Sequence, residues 1–198
     1  MAEDSKRAII VGIPGVGKTT VISRAAELLN QKRKTTVVVF GTLMFEEAKA
    51  RMGIKHRDEM RAMPVEDQRR LQEMAAQRIA EMKDSIVLVD THLFINTAEG
   101  YYPGLPMRLL TIMKPTNLVM ISADPQEIAD RRKSDETRQR DIASAENVQK
   151  ELDISRMMVA SCSILTGSPF AIIMNSDGKA DEAAANIAKI LLGSDGGA

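Results

Sequence analysis

The sequence predicts an α/β domain, a five-stranded parallel sheet with helices on both faces in a three-layer sandwich. Three observations predict it. Apolar runs of strand length recur between segments of helical periodicity: Ala8–Val11, Thr35–Phe40, Ser85–Asp90, Asn117–Ile121 and Phe170–Met174. Most of these runs do not alternate with polar residues, as expected for strands covered on both faces. A glycine-rich turn follows the first run and polar residues follow later ones, and the carboxyl ends of strands are where open α/β sheets bind ligands.

The first run enters Gly12-Ile13-Pro14-Gly15-Val16-Gly17-Lys18-Thr19-Thr20. This is the G-x-x-x-x-G-K-T pattern of a P-loop, in its strand-then-helix context. Gly12, Gly15 and Gly17 let the backbone approach a phosphate, and successive N–H groups converge there on an anion. Lys18 is placed to neutralise β- and γ-phosphates, and the Thr19 hydroxyl to ligate Mg²⁺. The domain is therefore read as a P-loop NTPase, with residues 12–20 holding a nucleoside triphosphate. The motif leaves open whether a kinase, a GTPase or an ATPase motor follows.

The remaining elements follow in order. Val21, Ile22, Ala25, Leu28 and Leu29 recur at helical spacing after the turn, and the second strand ends at Gly41-Thr42. Leu43–Met52 predicts a helix closed by Gly53. A charged stretch, Lys55–Arg61, precedes a long helix opened by Pro64. The third strand closes on Asp90. A loop rich in glycine and proline, Gly100–Pro106, leads to a short helix broken at Lys114-Pro115. Asp124-Pro125 reads as an N-cap with proline at the first helical position. A polar stretch, Ser134–Ser144, separates that helix from a long one over Ala145–Thr166. A turn at Asn175–Lys179 leads to a last helix over Asp181–Leu192 and a tail expected to fray. No repeat or linker divides the chain, so residues 1–198 read as one domain.

Composition narrows the function classes. Lys plus Arg and Asp plus Glu both number 27, so no net charge recruits nucleic acid or an anionic membrane. No apolar run approaches the about 20 residues needed to span a bilayer, and the N-terminus does not resemble a signal peptide. One cysteine, Cys162, excludes a disulfide framework and suits a reducing compartment, so a soluble cytoplasmic protein is expected. Two histidines and one cysteine, widely separated, do not make a zinc site.

The chemistry gathers at the strand ends. Asp90 closes its apolar strand as a Walker-B acid does, poised to hold Mg²⁺ directly or through water. Residues 131–140 carry five cations, Arg131, Arg132, Lys133, Arg138 and Arg140. They read either as a solvated helix end or as a lid of arginines folding over polyphosphate, where the guanidinium fork stabilises a phosphoryl in flight. Arg57 and Arg61, four apart, share one helical face, either as a surface pair or as a clamp for a second anionic substrate. Tyr101 and Tyr102 either stack on a base or pack their loop.

Six motifs stand together in order: the P-loop, Phe40-Gly-Thr-Leu-Met-Phe45, Arg57-Asp-Glu-Met-Arg61, Val89-Asp-Thr-His92, Gly100-Tyr-Tyr-Pro-Gly-Leu-Pro106 and Asp135-Glu-Thr-Arg-Gln-Arg140. In that order the chain resembles archaeal-type adenylate kinase from about Lys6 to Leu192. The resemblance implies Mg²⁺-dependent conversion of ATP and AMP to two ADP, in a homotrimer. It implies a monophosphate-binding segment over about residues 40–82 and a short lid over about 134–143. Lys18, Arg138 and Arg140 would stabilise the transferring phosphoryl. Arg57 and Arg61 would lie near AMP, beside Gly41, Thr42 and His92 as substrate-binding positions. One departure stands out: Asn96 occupies a position where the family usually carries a basic residue before Thr97.

The AMP phosphate is already an anionic nucleophile, so the reaction needs no general base, and none is evident. Alignment, charge dispersal and water exclusion remain for the protein, and exclusion calls for closure of lid and monophosphate segment. The alternatives are a kinase for another nucleoside monophosphate, and a GTP-dependent switch. The base-specifying Asn-Lys-x-Asp of such switches is absent.

Overall fold

The computed structural model describes residues 5–97, 99–134 and 144–193, except for the side chain of Arg61. Five parallel strands form the central sheet: β1 (Lys6–Val11), β2 (Thr35–Val39), β3 (Ile86–Asp90), β6 (Asn117–Ser122) and β7 (Phe170–Met174), in the order β2-β3-β1-β6-β7. The expected five-stranded parallel sheet is present. Its most apolar strands lie inside: Ala8–Val11 of β1 and Val87–Val89 of β3 are almost fully buried, and all six residues of β6 are buried. Burying each such aliphatic side chain contributes about 1.5–3 kcal/mol, which makes these strands the anchor of the fold.

Helices α1 (Lys18–Asn30), α2 (Phe40–Met52), α3 (Arg57–Arg61), α4 (Val65–Glu81), α5 (Met107–Met113), α6 (Pro125–Ser134), α7 (Ala145–Thr166) and α8 (Ala180–Leu192) surround the sheet. Two starts follow the chemistry read from sequence. Asp124 caps α6 by accepting the Gln126 N–H at 2.8 Å, with Pro125 at the first helical position. The hydroxyl of Ser144 caps α7, accepting from the Asn147 N–H.

Three details differ from the sequence reading. The glycine- and proline-rich loop contains an antiparallel hairpin, β4 (Phe94–Thr97) with β5 (Gly100–Pro103), in which Phe94 and Tyr101 meet edge to face. Four-residue strands composed partly of Asn, Thr, Gly and Pro carry no strand signal. Helix α2 begins at Phe40, so Gly41 and Thr42 belong to its first turn rather than to a loop. Strand β2 is a sheet edge, where Val37 and Val39 are 40% and 44% exposed, so its unbroken β-branched run did not signal burial on both faces.

Candidate active site

The register of the three inner strands decides what meets at their carboxyl ends. Ile10 of β1 pairs with Asp90 of β3, and Val11 pairs with Met120 of β6, so the turn after β1 opens beside Asp90. At Gly12 an added Cβ would lie 2.9 Å from the Ile121 carbonyl oxygen, so the turn packs directly on β6. Gly17 precedes α1 with φ 76°, and an added Cβ would lie 2.5 Å from Asn175 Nδ2. Only glycine satisfies both conditions. No side chain caps α1. Among the described residues, the N–H groups of Gly17, Lys18 and Thr19 meet no acceptor, which leaves the positive helix end free for an anion.

Lys18 is buried, and its ammonium donates to the Asp90 carboxylate and, at 3.0 Å, to the Thr91 carbonyl. Thr19 is exposed on the next position of α1. A hydroxyl and a carboxylate supply hard oxygen donors, which suit Mg²⁺. Among the described residues no group of three or more His, Cys, Asp or Glu forms a cage for an ion. An incomplete protein donor set fits a cation that keeps waters and arrives with its nucleotide.

The outward carbonyls of the turn are occupied by side chains that the sequence reading did not assign to it. Arg132 Nε donates to the Pro14 carbonyl at 2.9 Å, Arg131 Nη1 to Gly15 at 3.5 Å, and Asn175 Nδ2 to Val16 at 2.7 Å. Arg132 is further held by Glu151 on α7 at 2.6 Å, and Arg131 by Asp177 and Glu127. The cation run therefore divides. Arg131 and Arg132 end α6 and brace the turn from outside, whereas Arg138 and Arg140, with most of the expected lid, lie outside the described residues.

On the other side of the site, Arg57 Nη2 donates to Thr42 Oγ1 at 2.7 Å, and its guanidinium lies 5.7 Å from the Phe45 ring centroid. Thus Thr42 and Arg57 meet. Arg61 lies at the end of the same short helix, α3, and its side chain lies outside the described set. Helix α2 is fastened to α4 by Glu47, whose carboxylate accepts from Arg78 at 3.0 Å and from Arg51 at 2.9 Å. Burial pushes the Glu47 carboxyl up, but the hydrogen bonds and charges of Arg78 and Arg51 outweigh it and hold the group below its ordinary value.

His92 follows β3 and lines a narrow cleft with Gly12, Pro14, Phe94 and Ser155. Its backbone is pinned by Gly104, where an added Cβ would lie 2.3 Å from the His92 carbonyl oxygen. Cys162 is buried in α7, and burial raises its thiol pKa, which suits packing rather than nucleophilic chemistry.

Comparison with known proteins adds what geometry alone does not. A family model described as an AAA domain matches residues 11–149. The adenylate kinase of Methanocaldococcus jannaschii is 41% identical over 189 residues, covering 94% of this chain and 98% of the relative. The adenylate kinase of Pyrococcus horikoshii is 43% identical over 185 residues, covering 92% of this chain and 93% of the relative. The chain belongs to the adenylate kinase family. Among solved structures, shikimate kinase from Acinetobacter baumannii superposes with a TM-score of 0.62 at 17% identity, covering 98% of this chain and 97% of that one. At that identity the likeness concerns the P-loop kinase fold alone. The adenylate kinase relatives match nearly end to end, so the family extends over α2–α4 and the hairpin as well as over the P-loop.

Proposed function

We propose that the protein catalyses the reversible, Mg²⁺-dependent transfer of the γ-phosphoryl group of ATP to AMP, giving two ADP. One observation carries the reading: the P-loop with its buried Lys18 is separate from a second cationic position, Arg57 on α3, held by Thr42 and Phe45 of α2. A nucleotide and water need one anion site, whereas two nucleotides need two.

Residues 12–20 bind the ATP phosphates. Lys18 exchanges Asp90 for phosphate oxygens when the nucleotide enters, and Thr19 with Asp90 holds Mg²⁺, directly or through water. When bound, the ion offsets phosphate charge. Arg57 and Arg61, with Gly41, Thr42 and His92, seat the AMP. The AMP phosphate oxygen attacks the γ-phosphorus in line, the bond to the β-phosphate oxygen breaks, and ADP departs with that electron pair. Lys18, Arg138 and Arg140 stabilise the phosphoryl group in passage. The segment at 40–82 and the lid at 134–143 close over both substrates and exclude water within one domain spanning residues 1–198.

A homotrimer in the cytoplasm completes the proposal. Phe170, Ile172 and Met174 on the β7 edge, with Ile164 nearby in sequence, present exposed apolar surface suited to a second copy. Among the described residues no helix is long and apolar enough to cross a membrane.

The test is ADP formation from ATP·Mg with AMP, CMP, UMP or GMP offered in turn. Turnover with AMP far above the others supports the reading. Preference for another monophosphate moves the acceptor assignment, and turnover independent of any acceptor overturns it.

A further inference from the structure

One buried carboxamide joins three parts of the donor side. Asn175 directly follows β7 and is 5% exposed. Its N–H donates to the Ser122 carbonyl at the end of β6 at 2.7 Å, and its carbonyl accepts from Arg131 Nη2 at 3.0 Å. Its side-chain Nδ2 donates to the Val16 carbonyl at 2.7 Å, across 159 positions of sequence. Backbone bonds thus fix where Asn175 sits, and its side chain reaches the P-loop from that fixed point.

The peptide unit explains what this bond does. In a planar trans peptide the C=O and the following N–H point in opposite directions. Holding the Val16 carbonyl outward therefore turns the Gly17 N–H toward the opposite, cradle side. That N–H is among those with no acceptor among the described residues. Gly17 matches this geometry from the other direction, because any side chain there would collide with Asn175 Nδ2. Without the bond, the Val16–Gly17 peptide loses its buried donor and is free to rotate, and the cradle must be ordered by the nucleotide itself.

We propose that Asn175 is a positioning residue for the donor triphosphate, fixing the Gly17 N–H toward the phosphates before ATP arrives. This rests on the P-loop being the ATP site.

The experiment measures kcat and KM for ATP·Mg and for AMP separately, in full-length parent, Asn175→Ala, Asn175→Asp and Lys18→Ala, from pH 5.5 to 8.5. Asn175→Ala is expected to raise KM for ATP about tenfold and leave KM for AMP within about twofold. Asn175→Asp keeps the side-chain volume. Ionised, its carboxylate faces the Val16 carbonyl without a donor; protonated, it donates as the amide does. Its defect relative to the parent is therefore greatest at high pH and recedes as pH falls, which a packing defect does not reproduce. KM is read on whatever fraction folds, so low yield does not obscure it. KM for ATP within twofold of the parent in both variants overturns the role. So does a parallel rise for both substrates with no pH dependence in Asn175→Asp. Lys18→Ala reports on the P-loop reading by itself: near-parental kcat and KM for ATP there defeat that reading, whereas impaired Lys18→Ala beside unaltered Asn175 variants defeats only the role of Asn175.

Discussion

The proposed donor side and the proposed acceptor side of this site are built in contrasting ways. The P-loop is held from behind by buried groups, with Lys18, Arg132 and Asn175 each committed to specific partners. The acceptor side is an exposed assembly on α2 and α3, where Arg57 is held by one hydroxyl and one ring face. Buried hydrogen bonds are costly to leave unmade, so the donor cradle keeps its shape without ligand. Surface ion pairs and ring contacts hold geometry weakly, so on the proposed function the acceptor arm would reach its final arrangement at the expense of substrate binding energy. On that reading the donor side stores order in the fold, and the acceptor side would take it from the substrate.

Substitutions sharpen or break this contrast, beginning with the largest effect. Lys18→Ala should lower kcat by about 10² or more with the fold intact; near-parental turnover would end the assignment of Lys18 to the reaction. Arg57→Ala should raise KM for AMP about tenfold and leave KM for ATP nearly constant, and Arg57→Lys should recover little of it because a lysine lacks the planar fork. Equal effects on both substrates would erase the division into two sides. Thr42→Ala, which frees the Arg57 guanidinium but keeps its charge, should cost only about two- to fivefold in KM for AMP.

The smallest effect concerns the fastening of the arm. Glu47 titrates below its ordinary value in the folded protein, so its stabilising contribution is present above the unfolded value near pH 4.5 and is lost as pH falls through the lower folded value. Thermal melts of the parent and of Glu47→Gln should therefore differ at neutral pH and converge as pH falls through the lowered folded value of Glu47. A constant difference across that range would remove Glu47 from the pH dependence.

The division of the site also marks what the sequence could disclose. The sheet, its flanking helices and the P-loop were legible because each has a local signature: an apolar run, a 3.6-residue period, and glycines at fixed offsets. The short helix that sets Arg57 and Arg61 four positions apart was legible from that spacing, and α3 spans Arg57–Arg61. Asn175 was not, since the turn containing it gives no hint of a partner 159 positions away. Arg131 and Arg132 drew attention for their charge, but nothing in the run marked them as partners of the Pro14 and Gly15 carbonyls, which only the end of α6 brings within reach. The hairpin at residues 94–103 was missed because its order comes from pairing rather than from composition.

The strand order has a consequence in time. β1 precedes the other described strands in the chain, yet it lies between β3 and β6, and the P-loop that follows it is braced by α6 and by the segment after β7. Helix α1 packs most extensively on α8, the last helix of the chain. The residues of β1 and α1 are thus made well before the partners that bury them. A growing chain gains the full protection of a nucleotide bound at the P-loop only once the segment after β7 has been made, because a ligand stabilises only the state that already contains its site.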